Sequence, residues 1–182
     1  MMRHPIIIAA IFTFVSSAQA TESPSPYQGF ETRGVKALSE KDAADLLAGR
    51  GAGYALAAEL NGYPGPSHVL ELADKLKLSA RQRASTKAAF DAMQAEAKAI
   101  GAEIVAAEQA LDRSFTGNGL DKAELAQRSE ELGRLYGRYR AAHLKAHLDM
   151  KALLSPQQIA LYDNLRGYSQ NAPSPSPHRS HH

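Results

Sequence analysis

The chain has 182 residues, of which 21 are lysine or arginine and 19 are aspartate or glutamate, so its formal net charge is +2; it contains no cysteine. The lack of cysteine excludes disulfide frameworks, zinc ribbons, cysteine nucleophiles and iron–sulfur clusters. A charge this close to zero argues against a dedicated nucleic-acid-binding protein, which normally has a clear basic excess.

The first twenty residues are organised like a secretory signal peptide. Residues 1–4 carry positive charge, residues 5–15 are almost wholly apolar, and Ala18-Gln19-Ala20 places small residues where signal peptidase requires them. The apolar run is about eleven residues, well short of the roughly 20 that cross a bilayer, so no permanent membrane anchor is expected. We expect cleavage after Ala20 and export of a soluble protein to an oxidising compartment such as the bacterial periplasm.

The mature chain is predicted to be one domain between two tails. Residues 21–37 are polar with no sustained period, and residues 168–182 repeat Ser-Pro, so we expect both segments to be flexible. Residues 38–167 have no runs of alternating β-branched residues and are rich in Ala, Leu, Glu, Lys, Arg and Gln. This composition predicts an all-α domain.

A capping pattern, with leucine before serine and an acid or amide three residues later, occurs three times. The predicted caps are Ser39, Ser79 with Gln82, and Ser155 with Gln158. In a capping box the serine side chain accepts the third backbone N–H, and the third side chain accepts the serine N–H. The first box is expected to be the weakest, because Asp42 is shorter than glutamate or glutamine.

Small residues follow the first cap. Gly49, Gly53 and Ala57 recur every four residues. A phosphate-binding loop is disfavoured here because the Lys-Ser/Thr ending and a preceding strand are both missing. We expect instead a small-residue groove that lets another helix approach. Residues 61–65 then separate this segment from a further helix that begins near Pro66.

Apolar residues at steps of three and four predict two long helices. The first stripe is Phe90, Met93, Ala97, Ile100, Ile104, Ala107, Leu111 and Phe115. The second stripe is Leu125, Leu132, Leu135, Tyr139, Ala142, Ala146, Met150 and Leu153. Because the glycine-rich residues 116–119 join them, the helices must fold back as an antiparallel hairpin with shorter flanking helices.

The length of this hairpin suggests a partner. A helix of about 35 residues is on the order of 50 Å long, and the remaining predicted helices are too short to cover it. A second copy related by twofold symmetry would cover the apolar stripe, so we expect a homodimer.

The chain resembles the Spy/CpxP-type periplasmic stress protein family, which includes periplasmic heavy-metal resistance and sensor proteins. The resemblance is carried by the signal peptide, the helical hairpin and two copies of the family's Leu-Thr-x-x-Gln motif. The copies here are Leu78-Ser79-x-x-Gln82 and Leu154-Ser155-x-x-Gln158, with serine in place of threonine. The resemblance implies a curved dimer that acts as an ATP-independent chaperone, as a repressor of a membrane stress sensor, or as a metal-binding sensor.

Part of the second long helix is a candidate client-binding surface. Residues 132–145 contain several basic side chains and no acid. The candidate binding residues are Arg134, Arg138, Lys145, Tyr136, Leu144 and Leu148. Such a basic and apolar surface could attract acidic, partly unfolded chains and then hold them by weak apolar contact. The alternative is an ordinary solvated helix face.

Two sets of histidines are candidate metal ligands. His143 and His147, the histidine pair, share one helix face at a spacing that metal-binding helices use. Zinc usually takes at least three protein ligands, so the alternative is two polar residues flanking the apolar stripe. The tail histidines His178, His181 and His182 could chelate zinc, nickel or copper loosely.

Catalytic patterns are missing from the sequence. Neither a Gly-x-Ser-x-Gly nucleophile elbow nor the Glu-x-x-His repeats of ferritin-like bundles occur. We therefore expect a non-enzyme without a required cofactor, an exported chaperone or envelope-stress adaptor whose partners are unfolded proteins or a membrane sensor. The alternatives are a heavy-metal-binding resistance or sensor protein and a repressor of a membrane stress sensor.

Overall fold

The computed structural model describes residues 25–117 and 119–168, and in these residues it contains α-helices and no β-strand. The helices are α1 (Glu40–Leu47), α2 (Leu56–Glu59), α3 (Pro66–Glu71), α4 (Ala80–Thr116), α5 (Lys122–Leu153) and α6 (Pro156–Leu165). The all-α prediction is therefore confirmed. The predicted signal peptide and the tail histidines lie outside the described residues. No helix in the described ranges is long and apolar enough to span a bilayer.

The two long helices, α4 and α5, pack side by side in opposite directions. Ala97, Ile100 and Ile104 of α4 are buried against Leu135 and Tyr139 of α5. These residues come from the middle of the two apolar stripes, so the sequence periodicity correctly predicted the long helix pair and its contact face.

The short helices cover more of this pair than expected. Helix α1 lies so close to α4 that a Cβ added at Gly101 would be 2.0 Å from the carbonyl oxygen of Leu46. Helix α3 also packs on α4, and Val69 shares a second buried cluster with Met150 and Tyr162. The expectation that the flanking helices are too short to cover the hairpin was wrong for the half of the hairpin away from the connecting turn, where α1 and α3 pack on α4. Near the connecting turn, Phe115 of α4 is 64% exposed.

The segment after α1 is a loop rather than a helical groove. Gly49 has a φ of 66° and Gly53 a φ of 85°, left-handed values that glycine adopts without a steric cost. Gly49 is buried against α4, where an added Cβ would lie 3.0 Å from both the Gln94 carbonyl oxygen and the Lys98 nitrogen. The small residues do permit a close approach, but through a loop (residues 49–53), which corrects the helical interpretation.

The capping serines connect the two ends of the fold. Ser39, Ser79 and Ser155 each accept the backbone N–H three residues later, and the boxes at Ser79 and Ser155 are complete. The glutamines of these two boxes also bind each other. Gln82 Nε2 donates to Gln158 Oε1 at 2.8 Å, and Gln158 Nε2 donates to Gln82 Oε1 at 3.1 Å. This glutamine pair joins the starts of α4 and α6.

Candidate functional site

The leucines of the candidate client-binding surface lie on the side of α5 that faces away from α4. Leu148 is 58% exposed and Leu144 is half-buried. Gly133 and Gly137 share this side by helical periodicity, and a Cβ at either position would meet nothing within 4 Å. We call Gly133, Gly137, Leu144 and Leu148 the outer face of α5, an open and partly apolar strip.

The predicted cations beside this strip are already paired with carboxylates. Arg138 Nη1 is 3.0 Å from Glu103 of α4, and Lys145 Nζ is 3.9 Å from Glu96 of the same helix. Arg134 pairs with Glu131, one turn earlier on α5. Three of the four cations in the acid-free run 132–145 are therefore compensated by carboxylates of α4 or of the preceding turn of α5. The fourth, Arg140, lies 5.5 Å from the centroid of the Tyr54 ring instead.

The predicted client-binding residue Tyr136 lies on a different side of α5. Its ring stacks on Tyr54 with a centroid separation of 6.4 Å, and its hydroxyl donates to Glu108 Oε1 at 3.1 Å. Burial, and then the nearby Glu108 carboxylate, raise the pKa of Tyr136 well above its ordinary value. The structure thus separates this tyrosine from Leu144 and Leu148.

The histidine pair is buried in the interior. His143 is 3% exposed and His147 is 7% exposed. The Nδ1 atom of His143 lies 3.0 Å from the carbonyl oxygen of Tyr139, and that of His147 lies 2.7 Å from the carbonyl oxygen of Tyr63. A carbonyl can only accept, so both Nδ1 atoms carry the proton and donate. In the neutral ring, Nε2 is then the lone-pair acceptor.

Both imidazoles line a cavity of about 420 Å³ between the 49–53 loop, α3, α4 and α5. Phe90 and Met93 of α4 supply part of its apolar wall. His143 Nε2 is buried, and no described residue hydrogen-bonds to it. Near His147 the wall is the backbone of Gly65, where an added Cβ would lie 3.2 Å from Nε2. We call this space the histidine cavity.

A buried carboxylate stands at one end of the histidine cavity. Glu59 is 7% exposed, and its Oε2 accepts the Gly65 N–H at 3.0 Å. Its Oε1 accepts the hydroxyls of Tyr162 at 2.5 Å and Tyr168 at 3.0 Å, and Arg166 Nε lies 3.6 Å away. Burial, and then the Glu59 carboxylate, raise the pKa of Tyr162 far above its ordinary value. The negative charge is therefore compensated inside the protein.

The histidine pair supplies two of the three or more protein ligands that a zinc site usually has. In residues 25–117 and 119–168, no three His, Asp or Glu side chains are arranged to hold an ion. Glu59 Oε2 is 3.7 Å from His147 Nδ1, the nitrogen that donates to Tyr63, and so it approaches the wrong side of the ring. The tail histidines are outside the described residues.

Sequence reasoning did not find Glu59 or its partners. Glu59 and Tyr162 are 103 positions apart, and neither belongs to a recognisable motif. The nearest signal is the glycine and proline segment 61–65, which by itself indicates only a separator between helices.

No protein-family model, curated protein or solved structure matches this chain. The outer face of α5 and the histidine cavity are therefore the basis for a functional assignment.

Proposed function

We propose that the chain is an exported, non-catalytic binding protein, an ATP-independent holding chaperone or envelope-stress adaptor. The outer face of α5 is its contact surface for unfolded proteins or a membrane sensor. The observation that supports this proposal most directly is the exposure of Leu148 on the same side of α5 as two bare glycines, Gly133 and Gly137, which lie about 16–23 Å away along the helix. An extended client segment can approach the helix backbone at the glycines and bury the exposed part of the Leu148 side chain, which stabilises the complex by about 1–2 kcal/mol.

Charge has a smaller part in this proposal than the sequence suggested. Because Arg138 and Lys145 face Glu103 and Glu96, the attraction of a distant acidic client is largely cancelled. We therefore propose capture by apolar contact. Its efficiency should change by less than about twofold as salt is raised, since screening has little unpaired charge to act on.

The experiment is suppression of light scattering by a chemically denatured client. Leu148→Asp should lose at least half of the suppression, because it places a charge in the contact. Leu47→Asp is the matched control, since Leu47 is 51% exposed on α1 and lies off the strip. Equal activity of the Leu148 variant and the unaltered protein would contradict the proposed surface.

Chaperone and adaptor roles use the same face and differ in the number of partners. A photo-crosslinking amino acid at Leu144 or Leu148 in cells should capture many unfolded proteins if the chain is a general chaperone. It should capture one membrane sensor if the chain represses a signalling system. Capture of neither would count against both roles.

Dimerisation and the Spy/CpxP-like fold are part of the same proposal. The support is the hairpin end near the connecting turn, where Phe115 is 64% exposed. A second copy packed there would bury this ring. We expect sedimentation to show a dimer, and Phe115→Asp to shift it toward a monomer without loss of helical circular dichroism.

A metal-binding sensor is the second candidate. It is supported by the backbone carbonyls that hold both Nδ1 protons of the histidine pair, because metal-ligating histidines usually donate their other ring nitrogen in this way. It ranks below the chaperone because the pair supplies two ligands where zinc usually takes three or more from the protein.

A further inference from the structure

His143, which lines the histidine cavity, has an acceptor that no described residue uses. Tyr139 O fixes the proton of His143 on Nδ1 at 3.0 Å, so the neutral ring presents a lone pair at Nε2. That atom has less than 1 Å² of accessible surface and no hydrogen-bond partner among the described residues, so a ligand reaches it by displacing part of the surrounding wall, such as the Gly51 backbone beside the ring. A buried acceptor without a partner costs free energy, and a ligand with an O–H or N–H donor would remove that cost.

The charged groups around the cavity are already engaged elsewhere. Glu59 accepts from Tyr162 and Gly65, and Arg50 Nη1 pairs with Asp45 at 2.8 Å. The cavity therefore offers no unpaired charge to attract an ion of either sign, and a neutral ligand fits it best.

The size and the walls of the cavity favour an organic molecule over a single metal ion. Its volume is about 420 Å³, within the range of small-molecule sites. Phe90, Met93 and Leu56 provide aromatic, thioether and aliphatic surface along its walls. Polar side chains such as Ser67, His68 and Gln94 also line the cavity, and a combination of apolar walls with a few polar groups is the usual composition of such a site.

We propose that the histidine cavity binds a neutral aromatic alcohol, whose ring packs among Phe90, Met93 and Leu56 and whose hydroxyl donates to His143 Nε2. Binding at this site is independent of the outer face of α5, so it is a further activity rather than a detail of client capture.

The test compares two probes that differ in a single donor. 1-Naphthol has the hydroxyl, and 1-methoxynaphthalene has the same ring and oxygen without the proton. The chain has no tryptophan, so the fluorescence of either probe can be followed without strong protein emission. We expect saturable binding of one 1-naphthol per chain, with 1-methoxynaphthalene about tenfold weaker because it cannot donate.

Two variants locate the site. His143→Phe keeps a ring of similar size but removes the acceptor, so it should abolish the preference for 1-naphthol over 1-methoxynaphthalene. Gly51→Val leaves the histidine in place and narrows the cavity, because a Cβ at Gly51 would lie 3.5 Å from His143 Cδ2. This variant should bind both probes more weakly. Gly34→Val is the matched control, since a Cβ there meets nothing within 4 Å.

Each other outcome overturns the proposal. If the two probes bound equally tightly, or if His143→Phe kept the preference for 1-naphthol, the probes would be held by apolar contact alone and not by a hydrogen bond to His143 Nε2. No saturable binding to the unaltered protein would mean that the cavity takes no aromatic alcohol. Binding of one zinc or copper ion that requires His143 and excludes 1-naphthol would assign the cavity to a metal. Melting curves keep loss of fold separate from loss of binding.

Discussion

The glutamine pair provides a sharp test of how the fold is held together. Each side-chain amide of Gln82 and Gln158 accepts the N–H of its own capping serine, at 3.1 and 2.9 Å. Each also donates to a backbone carbonyl across the structure, Gln82 to Leu153 and Gln158 to Leu76, both at 3.2 Å. Two reciprocal amide bonds then link the two side chains. We expect Gln82→Ala and Gln158→Ala to be energetically coupled.

The size of this coupling follows from the shared bonds. Each glutamine takes part in four hydrogen bonds, and with about 0.5 kcal/mol for each partly exposed bond, either single variant should lose about 2 kcal/mol. The double variant loses the two shared bonds only once. It should therefore cost about 3 kcal/mol rather than about 4, which is a coupling energy of about 1 kcal/mol.

Urea unfolding of the four proteins, followed by circular dichroism, measures this coupling. Gln157→Ala is the control, because Gln157 is an exposed glutamine in the same first turn of α6, and its loss should change little. Simple additivity of the two single variants within about 0.3 kcal/mol would show that the amide pair contributes nothing to stability.

Three further predictions test the caps, a buried phenol and metal uptake. Ser79→Ala and Ser155→Ala should each lower the free energy of unfolding by about 1 kcal/mol, and an unchanged urea midpoint for either would refute the capping account. Tyr139 donates its hydroxyl to Arg50 O at 2.6 Å, and burial raises its pKa from 10.0 to about 12. Because the pKa of Tyr139 is higher in the folded than in the unfolded protein, the stability that its neutral hydroxyl contributes is fully present below pH 10 and is lost as the pH rises toward 12. Tyr139→Phe should therefore be less stable than the unaltered protein at pH 8, by a margin that shrinks above pH 10 in urea titrations. In calorimetric titration with nickel, we expect weak uptake that disappears when residues 169–182 are removed and falls below about pH 6.5, the ordinary pKa of histidine. Tight binding that instead requires the histidine pair would refute this expectation.

Features that depend on one helix at a time could be predicted from the sequence. The positions that pack α4 against α5, such as Ile100 and Tyr139, recur at helical steps within their own helices. The caps at Ser79 and Ser155 are likewise encoded within a few residues. The long helix pair therefore follows from local patterns that agree with one another.

Features that depend on the register between helices could not be predicted in this way. Whether Arg138 meets Glu103 depends on how far the two long helices slide along each other, which neither helix encodes alone. The mutual contact of Gln82 and Gln158 has the same origin, because the caps predict two helix starts but not that they meet. The sequence therefore predicted the caps at Ser79 and Ser155 but neither the contact between their glutamines nor the carboxylates that face the cations of α5.

The surroundings of the histidine pair are a second feature that could not be predicted from the sequence. Helical spacing placed both rings on one face of α5, but burial came from the 49–53 loop and from Gly65. Those segments lie over the rings only because α1 and α3 dock on α4, and Gly101 makes the first of these contacts possible. A histidine cavity is thus a property of the assembled fold, for which the sequence of α5 contains no signal.

The two candidate binding regions share α5 but face different directions. His143 and Leu148 are five positions apart, which on an α-helix corresponds to about 140° of rotation about the axis. One residue points into the histidine cavity, and the other lies on the open strip. A rigid helix cannot present either side chain to the other region without unfolding its own turn. Occupation of the cavity can therefore affect the proposed client capture only by stabilising the loop and short helices that close over α5. A ligand for the cavity would raise the melting temperature of the protein while leaving the outer face of α5 unchanged in shape.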